Sequence, residues 1–322
     1  MITEFRPASP ADIPAIHALN RRIEIGDGIP IVTPIEEFED WAGDPHFSFD
    51  DDSLLALQGS RLVGFARLWH RPSDEIQARV FMVGGVDPAH RRQGIGSSLI
   101  TWQMQRGREI LAASPAALPR FLRTMAYDFE KEAIALYEKH DLVPVRYSYE
   151  LIRPLGSVAT VPKTPGIDII AWDPGRDEEL RQVTNASFAD HWGSTPLDRK
   201  AWRHRLDSFG VRLDLSFMAV DGDEIVGMLL ANHFPDDVEV TRRLDGWIMS
   251  LGTLRSHRKR GIASALVLTA CHAFGEAGFS HAALGVDSES PTGAYRLYQK
   301  LGFTELNKSV QHQLEVNGAG RS

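Results

Sequence analysis

The sequence predicts an α/β protein made of two consecutive copies of one domain, each a mixed β-sheet with helices on both faces. The first observation behind this prediction is the order of elements, which is the same in each half: strand, helix, hairpin, strand, helix, strand, helix, strand. The second observation is a segment that recurs without a gap, at residues 85–97 and again at 252–264. Internal repetition of this kind indicates two copies of one domain.

Apolar spacing and turn residues predict the elements of the first half. Ile13, Ile16, Leu19 and Ile23 recur at helical spacing, and residues 58–61 form a hairpin turn between two apolar strands. In chain order we predict a strand at 3–7, a helix at 12–25, strands at 53–57, 62–69 and 80–86, a helix at 92–111, a strand at 121–127, a helix at 130–139 and a strand at 143–151.

The second half repeats this pattern, with residues 221–223 as its hairpin turn. In chain order we predict a strand at 167–171, a helix at 177–188, strands at 215–220, 225–231 and 247–251, a helix at 258–274, a strand at 282–286, a helix at 292–300 and a strand at 304–314.

The segment 155–166 is the expected linker between the copies. It contains two prolines and two glycines, has no helical periodicity and lies at the midpoint of the chain. The 322 residues also suit two domains of roughly 150 residues each. We therefore expect domains at residues 1–154 and 167–322.

The composition indicates a globular protein and excludes several other classes. Hydrophobic residues make up 43% of the chain and charged residues 24%, which is enough apolar material for a core. The 35 basic and 43 acidic residues give a net charge of −8, which disfavours nucleic acid as a partner. A single cysteine excludes an internal disulfide, and no His/Cys cluster has metal-ligand spacing, so we expect no metal.

The single cysteine and the lack of apolar targeting segments lead to further expectations. Cys271 lies in an apolar helical segment, where a packed core thiol is expected. No apolar run reaches the ~18 to 20 residues that span a bilayer, and residues 1–7 lack the apolar core of a signal peptide. We therefore expect a cytoplasmic protein with no membrane partner.

The repeated segment has the features of an anion-binding turn between a strand and a helix. The first N–H groups of a helix have no intrahelical acceptor, and the helix dipole adds partial positive charge there. Glycine lets phosphate oxygens approach the backbone and arginine adds charge, so a pyrophosphate suits such a turn. The alternative is a basic helix start with a glycine-softened turn. The residues of the turn are Arg91, Gln93, Gly94, Ile95, Gly96 and Ser97 in the first copy, and Arg258, Arg260, Gly261, Ile262, Ala263 and Ser264 in the second.

A second motif, Ala-x-x-Leu-Tyr-x-Lys, occurs at 133–139 and at 294–300. It places Tyr137 and Tyr298 at the same register of a predicted helix. One interpretation is a tyrosine packed on the sheet. The other is a phenol positioned to donate a proton.

With these two motifs the sequence resembles the GNAT superfamily of acyl-CoA-dependent N-acetyltransferases, in tandem form over almost the whole chain. In this family the turn binds the pyrophosphate of acetyl-CoA, the preceding strand pairs with the pantetheine arm, and the tyrosine protonates the departing thiolate. The resemblance implies acetyl-CoA as cosubstrate and the two turns as its binding residues. It also implies Leu251 and Thr253 on the pantetheine strand, and Tyr298 as the general acid with Tyr137 as its counterpart.

Among tandem members the chain resembles mycothiol synthase and its actinobacterial relatives, including at residues 185–196. That group is expected to use a carboxylate on its fourth strand, acting through water. The aligned residue here is Trp247, and Val80 in the first half. Where many family members have an asparagine before the last helix, the nearest residues here are Ser290 and Pro291.

The resemblance implies transfer of an acetyl group to the primary amine of a small molecule by direct attack. The second half contains Leu-Gly-Phe at 301–303 and is expected to be catalytic, whereas the first half is expected to be regulatory or structural. Two alternatives are an acyl-CoA-binding sensor or scaffold without catalysis, and transfer of a longer acyl group. We expect a monomer or a homodimer.

Direct attack requires a base that takes a proton from the ammonium group of the acceptor. Asp245 precedes the fourth strand and could face the substrate, although Asp245 also suits a turn in 244–246. His191 follows the first helix of the second half, where an acceptor pocket is expected. Asp287, Glu239 and an ordered water relay are the other candidates.

Overall fold

The computed structural model of the chain describes residues 2–44, 46–70, 76–115, 117–191, 194–289 and 293–316. These residues divide into two compact units. Unit 1 comprises Met1–Arg146 and Ser309–Ser322, and unit 2 comprises Tyr147–Lys308. Both are mixed α/β units, which confirms the predicted fold class.

Eleven elements form the first half of the described chain. They are β1 (Glu4–Arg6), α1 (Ile13–Asp27), α2 (Ile35–Ala42), α3 (Phe49–Asp52), β2 (Ser53–Gln58), β3 (Arg61–His70), β4 (Ala78–Val86), α4 (Ile95–Ala112), β5 (Arg120–Tyr127), α5 (Lys131–Lys139) and β6 (Val143–Pro154).

Eleven further elements follow in the second half of the described chain. They are β7 (Asp168–Ala171), α6 (Asp177–Phe188), α7 (Arg199–Asp207), β8 (Phe217–Asp221), β9 (Glu224–Asn232), α8 (Val238–Thr241), β10 (Asp245–Thr253), α9 (Ile262–Glu276), β11 (His281–Asp287), α10 (Ala294–Lys300) and β12 (Thr304–Glu315).

Each unit contains a sheet in which one strand pair is parallel and the others are antiparallel. In unit 1 the order is β1-β2-β3-β4-β5, and only β4 and β5 run parallel. In unit 2 the order is β7-β8-β9-β10-β11, and only β10 and β11 run parallel. The parallel pair, formed by the last two strands in each of these orders, is therefore a feature that the two copies share.

The last strand of each half of the sequence pairs with a strand from the other half. Residues 309–315 of β12 pair antiparallel with β5 in unit 1, and residues 148–154 of β6 pair antiparallel with β11 in unit 2. The expected boundaries at 154 and 167 assign each strand to its own half. Local pattern predicts a strand but not its partner, because pairing depends on register with a distant edge.

The expected linker has no helix or strand, but it belongs to unit 2. The N–H of Leu155 donates to the carbonyl of Ser280 at 3.0 Å. Leu155 and Val158 pack against the apolar core of the unit. The segment is thus a packed connection rather than a free spacer.

Apolar clusters lie beneath separate sets of helices in each unit. In unit 1, α1 contributes Leu19 to one cluster and α4 contributes Leu99 to another. In unit 2, α9 contributes Leu266 to one cluster and α6 contributes Leu180 to another. No helix in the described ranges is long and apolar enough to cross a membrane.

Four short helices, α2, α3, α7 and α8, were absent from the sequence prediction. Helix α7 has only two buried anchors, Trp202 and Leu206, in nine residues. These are four residues apart and lie on one face. Two anchors do not establish a helical period, so the contact with the sheet rather than the local pattern defines this helix.

Asp87, just after β4, forms hydrogen bonds with α1, with the β2–β3 hairpin and with the first repeated turn. Its carboxylate accepts hydrogen bonds from Arg22 at 2.8 Å, Arg61 at 3.1 Å and the N–H of Ala89 at 3.1 Å. Burial opposes ionisation of Asp87, but these hydrogen bonds outweigh burial and hold its pKa at about 2. The ionised carboxylate therefore stabilises the folded state.

We expect Asp87→Asn to lower the free energy of unfolding by about 2 kcal/mol at pH 7, since a pKa unit corresponds to about 1.4 kcal/mol. Because the folded-state pKa is depressed, this stabilisation is complete above about pH 4 and is lost as the pH falls towards 2. Urea unfolding of both proteins at pH 7, 5 and 3 measures it. A difference between them that does not shrink at pH 3 contradicts the assignment.

Candidate active site

A cavity of about 590 Å³ lies in unit 2 where β10 and β11 separate. The two strands pair only from Asp245 and His281 to Ile248 and Leu284. Beyond these pairs, residues 249–253 and 285–287 both line the cavity. The parallel pair therefore opens into a wedge at its carboxyl end.

An irregularity in β10 accompanies this opening. The register between β10 and β9 shifts between Ile248 and Ser250, as a β-bulge would produce. After Ile248, the edge of β10 that faces β11 is no longer paired with that strand. Leu251 and Thr253, predicted to lie on a ligand-pairing strand, are on this edge and line the cavity.

The repeated turn has the same backbone conformation in both units. Gly261 has φ +84° and Lys259 has φ +66°, and in the first copy Gly94 has φ +83° and Arg92 has φ +62°. The left-handed glycine ends the turn and starts the helix, so α4 and α9 begin at Ile95 and Ile262 rather than at the predicted residues 92 and 258. Left-handed backbone at the glycine costs little because it has no Cβ.

The start of α9 presents unsatisfied N–H groups to the cavity. The first intrahelical bond joins the N–H of Ala265 to the carbonyl of Gly261 at 3.0 Å. The N–H groups of 261–264 therefore precede the hydrogen-bond ladder. Gly261, Ile262, Ala263 and Ser264, all predicted from the sequence, line the cavity here.

The first-copy turn repeats this arrangement. The first intrahelical bond of α4 joins the N–H of Ser98 to the carbonyl of Gly94 at 3.0 Å. Ile95, Gly96 and Ser97 therefore occupy the positions of Ile262, Ala263 and Ser264. A Cβ built on Gly96 meets Leu136 of α5 at 3.2 Å, so α5 packs closely on this helix start.

The arginine at the start of each turn forms hydrogen bonds with neighbouring groups of the protein. Nε of Arg258 donates to the carbonyl of Thr253 at 3.3 Å, and Nη2 donates to the carbonyl of Ser187 at 3.0 Å. Nε of Arg91 donates to the carbonyl of Val86 at 3.2 Å, and its two Nη atoms contact Asp27 at 2.6 and 2.7 Å. The sequence analysis expected both arginines to add charge at an anion-binding turn, and these bonds hold their guanidinium groups against neighbouring carbonyls and carboxylates.

Two other predicted turn residues also point elsewhere. Nη1 of Arg260 donates to Asp221 at 3.2 Å, outside the cavity lining. Oε1 of Gln93 accepts a hydrogen bond from Gln58 at 2.9 Å. Arg258 and Lys259 both line the cavity, and no described residue is an ion-pair partner of Lys259. Sequence reasoning grouped Lys259 with the basic cluster but did not single it out.

Two buried hydroxyls of the cavity wall have no hydrogen-bond partner in the described part of the chain. They are Oγ1 of Thr253 and Oγ of Ser187. Gly252 lets α6 approach this closely, because a Cβ on Gly252 would stand 2.8 Å from the Cβ of Ser187. Buried polar atoms without partners indicate a polar ligand at this wall.

Tyr298 of α10 lines the same cavity and is 7% exposed. Burial raises the pKa of Tyr298 to about 12, so its hydroxyl stays protonated at neutral pH. Within the described ranges no group forms a hydrogen bond with that hydroxyl. Tyr137 differs, because it is hydrogen-bonded to Thr124 and its ring lies 5.4 Å from that of His312.

Of the predicted bases, His191 and Asp287 line the cavity. The ring of His191 packs edge-on against Phe188 at 5.7 Å, and its Nδ1 lies 3.4 Å from Oγ of Ser194. Oδ1 of Asp287 accepts a hydrogen bond from the N–H of Glu289 at 2.9 Å. Trp192, Ser290 and Pro291 lie outside the described residues.

Asp245 is not part of this site. It starts β10, eight residues and about 26 Å of strand before Thr253. Its carboxylate is 6% exposed and pairs with Arg243 at 3.0 Å. Glu239 of α8 is also absent from the lining. The pattern identified a carboxylate near the fourth strand but could not tell which end of that strand opens.

Comparison with known proteins identifies the family. Residues 178–303 match the model described as acetyltransferase (GNAT) family, and residues 50–141 match the model described as acetyltransferase (GNAT) domain. A mycothiol acetyltransferase from Frankia alni is 30% identical to this chain, with 78% of this chain and 74% of that protein covered. The chain belongs to the GNAT acetyltransferase family.

Other relatives of this GNAT acetyltransferase extend over nearly its whole length. A mycothiol acetyltransferase from Catenulispora acidiphila is 27% identical over 96% of this chain and 97% of that protein. The crystal structure of a GCN5-related N-acetyltransferase from Sphaerobacter thermophilus has a TM-score of 0.75 and 27% identity, covering 97% of this chain and 95% of that one. The predicted tandem GNAT arrangement is therefore confirmed.

The remaining lining of the GNAT cavity was missed by sequence reasoning. Ser187 and Phe188 end α6, and Ser250 follows the bulge of β10. Arg205 of the unpredicted helix α7 donates a hydrogen bond to Oγ of Ser250. Ser187 and Phe188 fall within the segment 185–196 that carries the resemblance but were not singled out there, and no motif marks Ser250 or Arg205. No group of three or more His, Cys, Asp or Glu in the described ranges is placed to hold a metal.

Cys271 lies away from this chemistry, in the core beneath α9. It is fully buried, and burial raises the pKa of its thiol to about 11. A thiol with this pKa is almost entirely protonated at neutral pH and is a poor nucleophile. These facts fit the packed core thiol that the sequence predicts.

Proposed function

We propose that unit 2 transfers an acetyl group from acetyl-CoA to the primary amine of a small molecule, by direct attack of the amine. The observation that carries this proposal is one cavity that joins the N–H groups of residues 261–264 to Tyr298. The open edge of β10 forms the wall between them. An elongated donor with phosphates at one end and a thioester at the other suits this shape.

The residues of the cavity fit coenzyme A by their chemistry. The N–H groups at the start of α9 and the ammonium of Lys259 suit a pyrophosphate. Leu251 and Thr253 offer backbone groups along an unpaired edge, which suits the amides of an extended arm. The unpartnered hydroxyls of Thr253 and Ser187 add polar groups on the same wall. When bound, acetyl-CoA supplies the activated acetyl thioester.

Tyr298 is proposed as the general acid. Its pKa of about 12 keeps a proton on the phenol oxygen throughout the physiological range. A protonated group beside a leaving thiolate lowers the barrier to its departure. Since burial is the cause of the raised pKa, the apolar walls around the ring form part of this arrangement.

We assign the base to His191 or Asp287, with an ordered water as the alternative carrier of the proton. The other acidic residue of the lining, Asp190, is engaged elsewhere, because its carboxylate lies 3.3 Å from Arg255 and 3.4 Å from Arg258. A base must be free to change its protonation state during each turnover. Asp190 is therefore the weaker candidate.

The acceptor is proposed only as a small primary amine. The relatives named mycothiol acetyltransferase make a cysteinyl pseudodisaccharide a reasonable first acceptor to assay. Trp247 stands where a carboxylate is expected in that group, and its ring lies 6.4 Å from that of Phe234. Neither ring is part of the cavity lining, so this pair does not define the acceptor.

A second function, acyl-CoA binding without catalysis, is proposed for unit 1. The helix start at Ile95 repeats that of α9, which supports anion binding. The hydroxyl of Tyr137 is already engaged with Thr124, which argues against a proton-donor role.

The test is an acetyl-CoA-dependent assay that follows release of free thiol with a panel of small amines, aminoglycosides and the cysteinyl pseudodisaccharide. We expect saturable turnover with at least one amine, and none with its N-acetylated form. Acetyl-CoA and propionyl-CoA are compared to test the acyl group. Binding of acetyl-CoA by calorimetry with no turnover across the panel would replace the catalytic proposal by the sensor function.

A further inference from the structure

Unit 1 has an arginine at a position that is apolar core in unit 2. The hairpins β2–β3 and β8–β9 share one register, because Leu55 faces Phe65 in the first and Met218 faces Met228 in the second. The same offset of 163 residues (218 − 55 and 228 − 65) aligns Arg67 with residue 230, a leucine.

The second copy shows what this position normally holds. Leu230 is 1% exposed and belongs to a cluster with Trp202 of α7. In unit 1 the corresponding helix, α2, places Trp41 over Arg67. A cation in place of a core leucine is unfavourable unless another group satisfies it. The comparison of the two copies therefore identifies Arg67 as an unusual residue for this position.

The guanidinium of Arg67 lies over an aromatic ring. Its central carbon lies 4.9 Å from the centroid of the Trp41 ring. Trp41 is itself fixed by Phe47 at 4.9 Å and Phe49 at 6.1 Å. Stacking of this kind uses the face of a guanidinium and leaves the N–H donors at its edge available.

Those donors are unused within the described part of the chain. No described residue accepts a hydrogen bond from the Arg67 guanidinium, and none forms an ion pair with it. Burial lowers the pKa of Arg67 to about 10, and Glu37 and Asp44 oppose this from a longer distance. The side chain therefore stays charged at neutral pH with its hydrogen-bonding capacity free.

The surface beside Arg67 is apolar and aromatic. Side chains two residues apart in a strand share a face, so Trp69 lies on the same side of β3 as Arg67. The ring of Trp69 contacts that of Phe81 on β4 at 5.1 Å. Val83 pairs with Arg67 across the strands and is 38% exposed. The guanidinium thus lies beside two aromatic rings and the partly exposed side chain of Val83, and Arg79 lies over the Phe81 ring at 5.8 Å.

We propose that Arg67 binds the carboxylate of a small aromatic or apolar acid on unit 1. A planar carboxylate accepts two hydrogen bonds from the edge of a guanidinium, and Arg67 has such donors unused beside the Trp41 ring. Trp69 and Phe81 contact the apolar body of the acid. This site is separate in kind from acyl-CoA binding and requires no acetyl transfer.

Isothermal titration calorimetry of the full chain tests this site directly. The ligands are phenylacetate, 3-phenylpropionate and indole-3-acetate, with phenylacetamide as the uncharged match and inorganic phosphate as the non-planar anion. Arg67→Leu introduces the residue of the second copy, so it is expected to fold and to raise the melting temperature. Arg67→Lys keeps the charge without the planar fork. Arg108→Leu, on the exposed side of α4, removes one positive charge elsewhere.

We expect at least one arylcarboxylate to bind saturably to the wild type and to Arg108→Leu. Binding weakens by about tenfold or more in Arg67→Leu and by a smaller factor in Arg67→Lys. Equal affinity in the wild type and Arg67→Leu overturns the proposal, as does the absence of binding by all three acids. Tighter binding of phenylacetamide or of phosphate than of every acid overturns the carboxylate assignment.

Discussion

Tyr298→Phe is expected to lower kcat about 100-fold while leaving the KM for acetyl-CoA within about threefold. The substitution removes one oxygen from a ring that burial already holds in place, so the fold is retained. General acid catalysis contributes about 100-fold or more when the proton donor is well positioned. The measurement is steady-state kinetics with a fixed amine and varied acetyl-CoA at pH 8.

Tyr137→Phe is the matched control for this substitution. It removes the same oxygen at the same register of the other copy, and the hydrogen bond to Thr124 with it. A net cost of about 1 kcal/mol in stability is expected, with kcat unchanged. Equal losses of kcat in the two variants would remove the asymmetry on which the assignment of catalysis to unit 2 rests.

The pH dependence separates an acid from a merely packed tyrosine. Because burial raises the pKa of Tyr298 to about 12, its proton is not lost on titration between pH 6 and 10. Any change of kcat in that range therefore reports another group. The Tyr298→Phe variant should keep the shape of that profile at a lower level.

Local chemistry explains why some parts of the site were predictable from the sequence. The left-handed glycine and the unsatisfied helix start depend on few neighbouring residues, so the sequence could single out Gly261 and the three residues after it, all of which line the cavity. Tyr298 was found because its motif recurs at the same helical register as Tyr137. In both cases the residues that form the feature are close together in the sequence, within one turn or one helix.

Longer-range features could not be obtained in this way. Arg258 belongs to the same motif, yet its direction is set by carbonyls on Thr253 and Ser187, which come from a strand and a helix. Asp245 was misplaced because a strand pattern does not reveal where two parallel strands separate. The exchange of β6 and β12 between the units has the same origin, since each strand finds its partner far along the chain.

The second large effect is expected from Gly261→Glu, which should raise the KM for acetyl-CoA about 100-fold or abolish turnover. Gly261 has φ +84°, where a residue with a Cβ is strained by about 1 to 2 kcal/mol. Space is not the obstacle, because the nearest atom to a Cβ here is Cγ2 of Thr164 at 3.7 Å. The added carboxylate can occupy the N–H groups that a pyrophosphate needs, and it repels the phosphates.

Two controls separate strain from charge and one copy from the other. Gly261→Ala introduces the strained Cβ without the carboxylate, so a loss well below that of Gly261→Glu is expected. Gly94→Glu makes the same change at φ +83° in the first copy, where a Cβ meets nothing within 4 Å, and should leave kcat unchanged. Calorimetry then counts the acetyl-CoA sites lost in each variant. Full turnover in Gly261→Glu together with loss in Gly94→Glu would move the chemistry to unit 1, because the two glycines have the same backbone conformation at the same position of the turn.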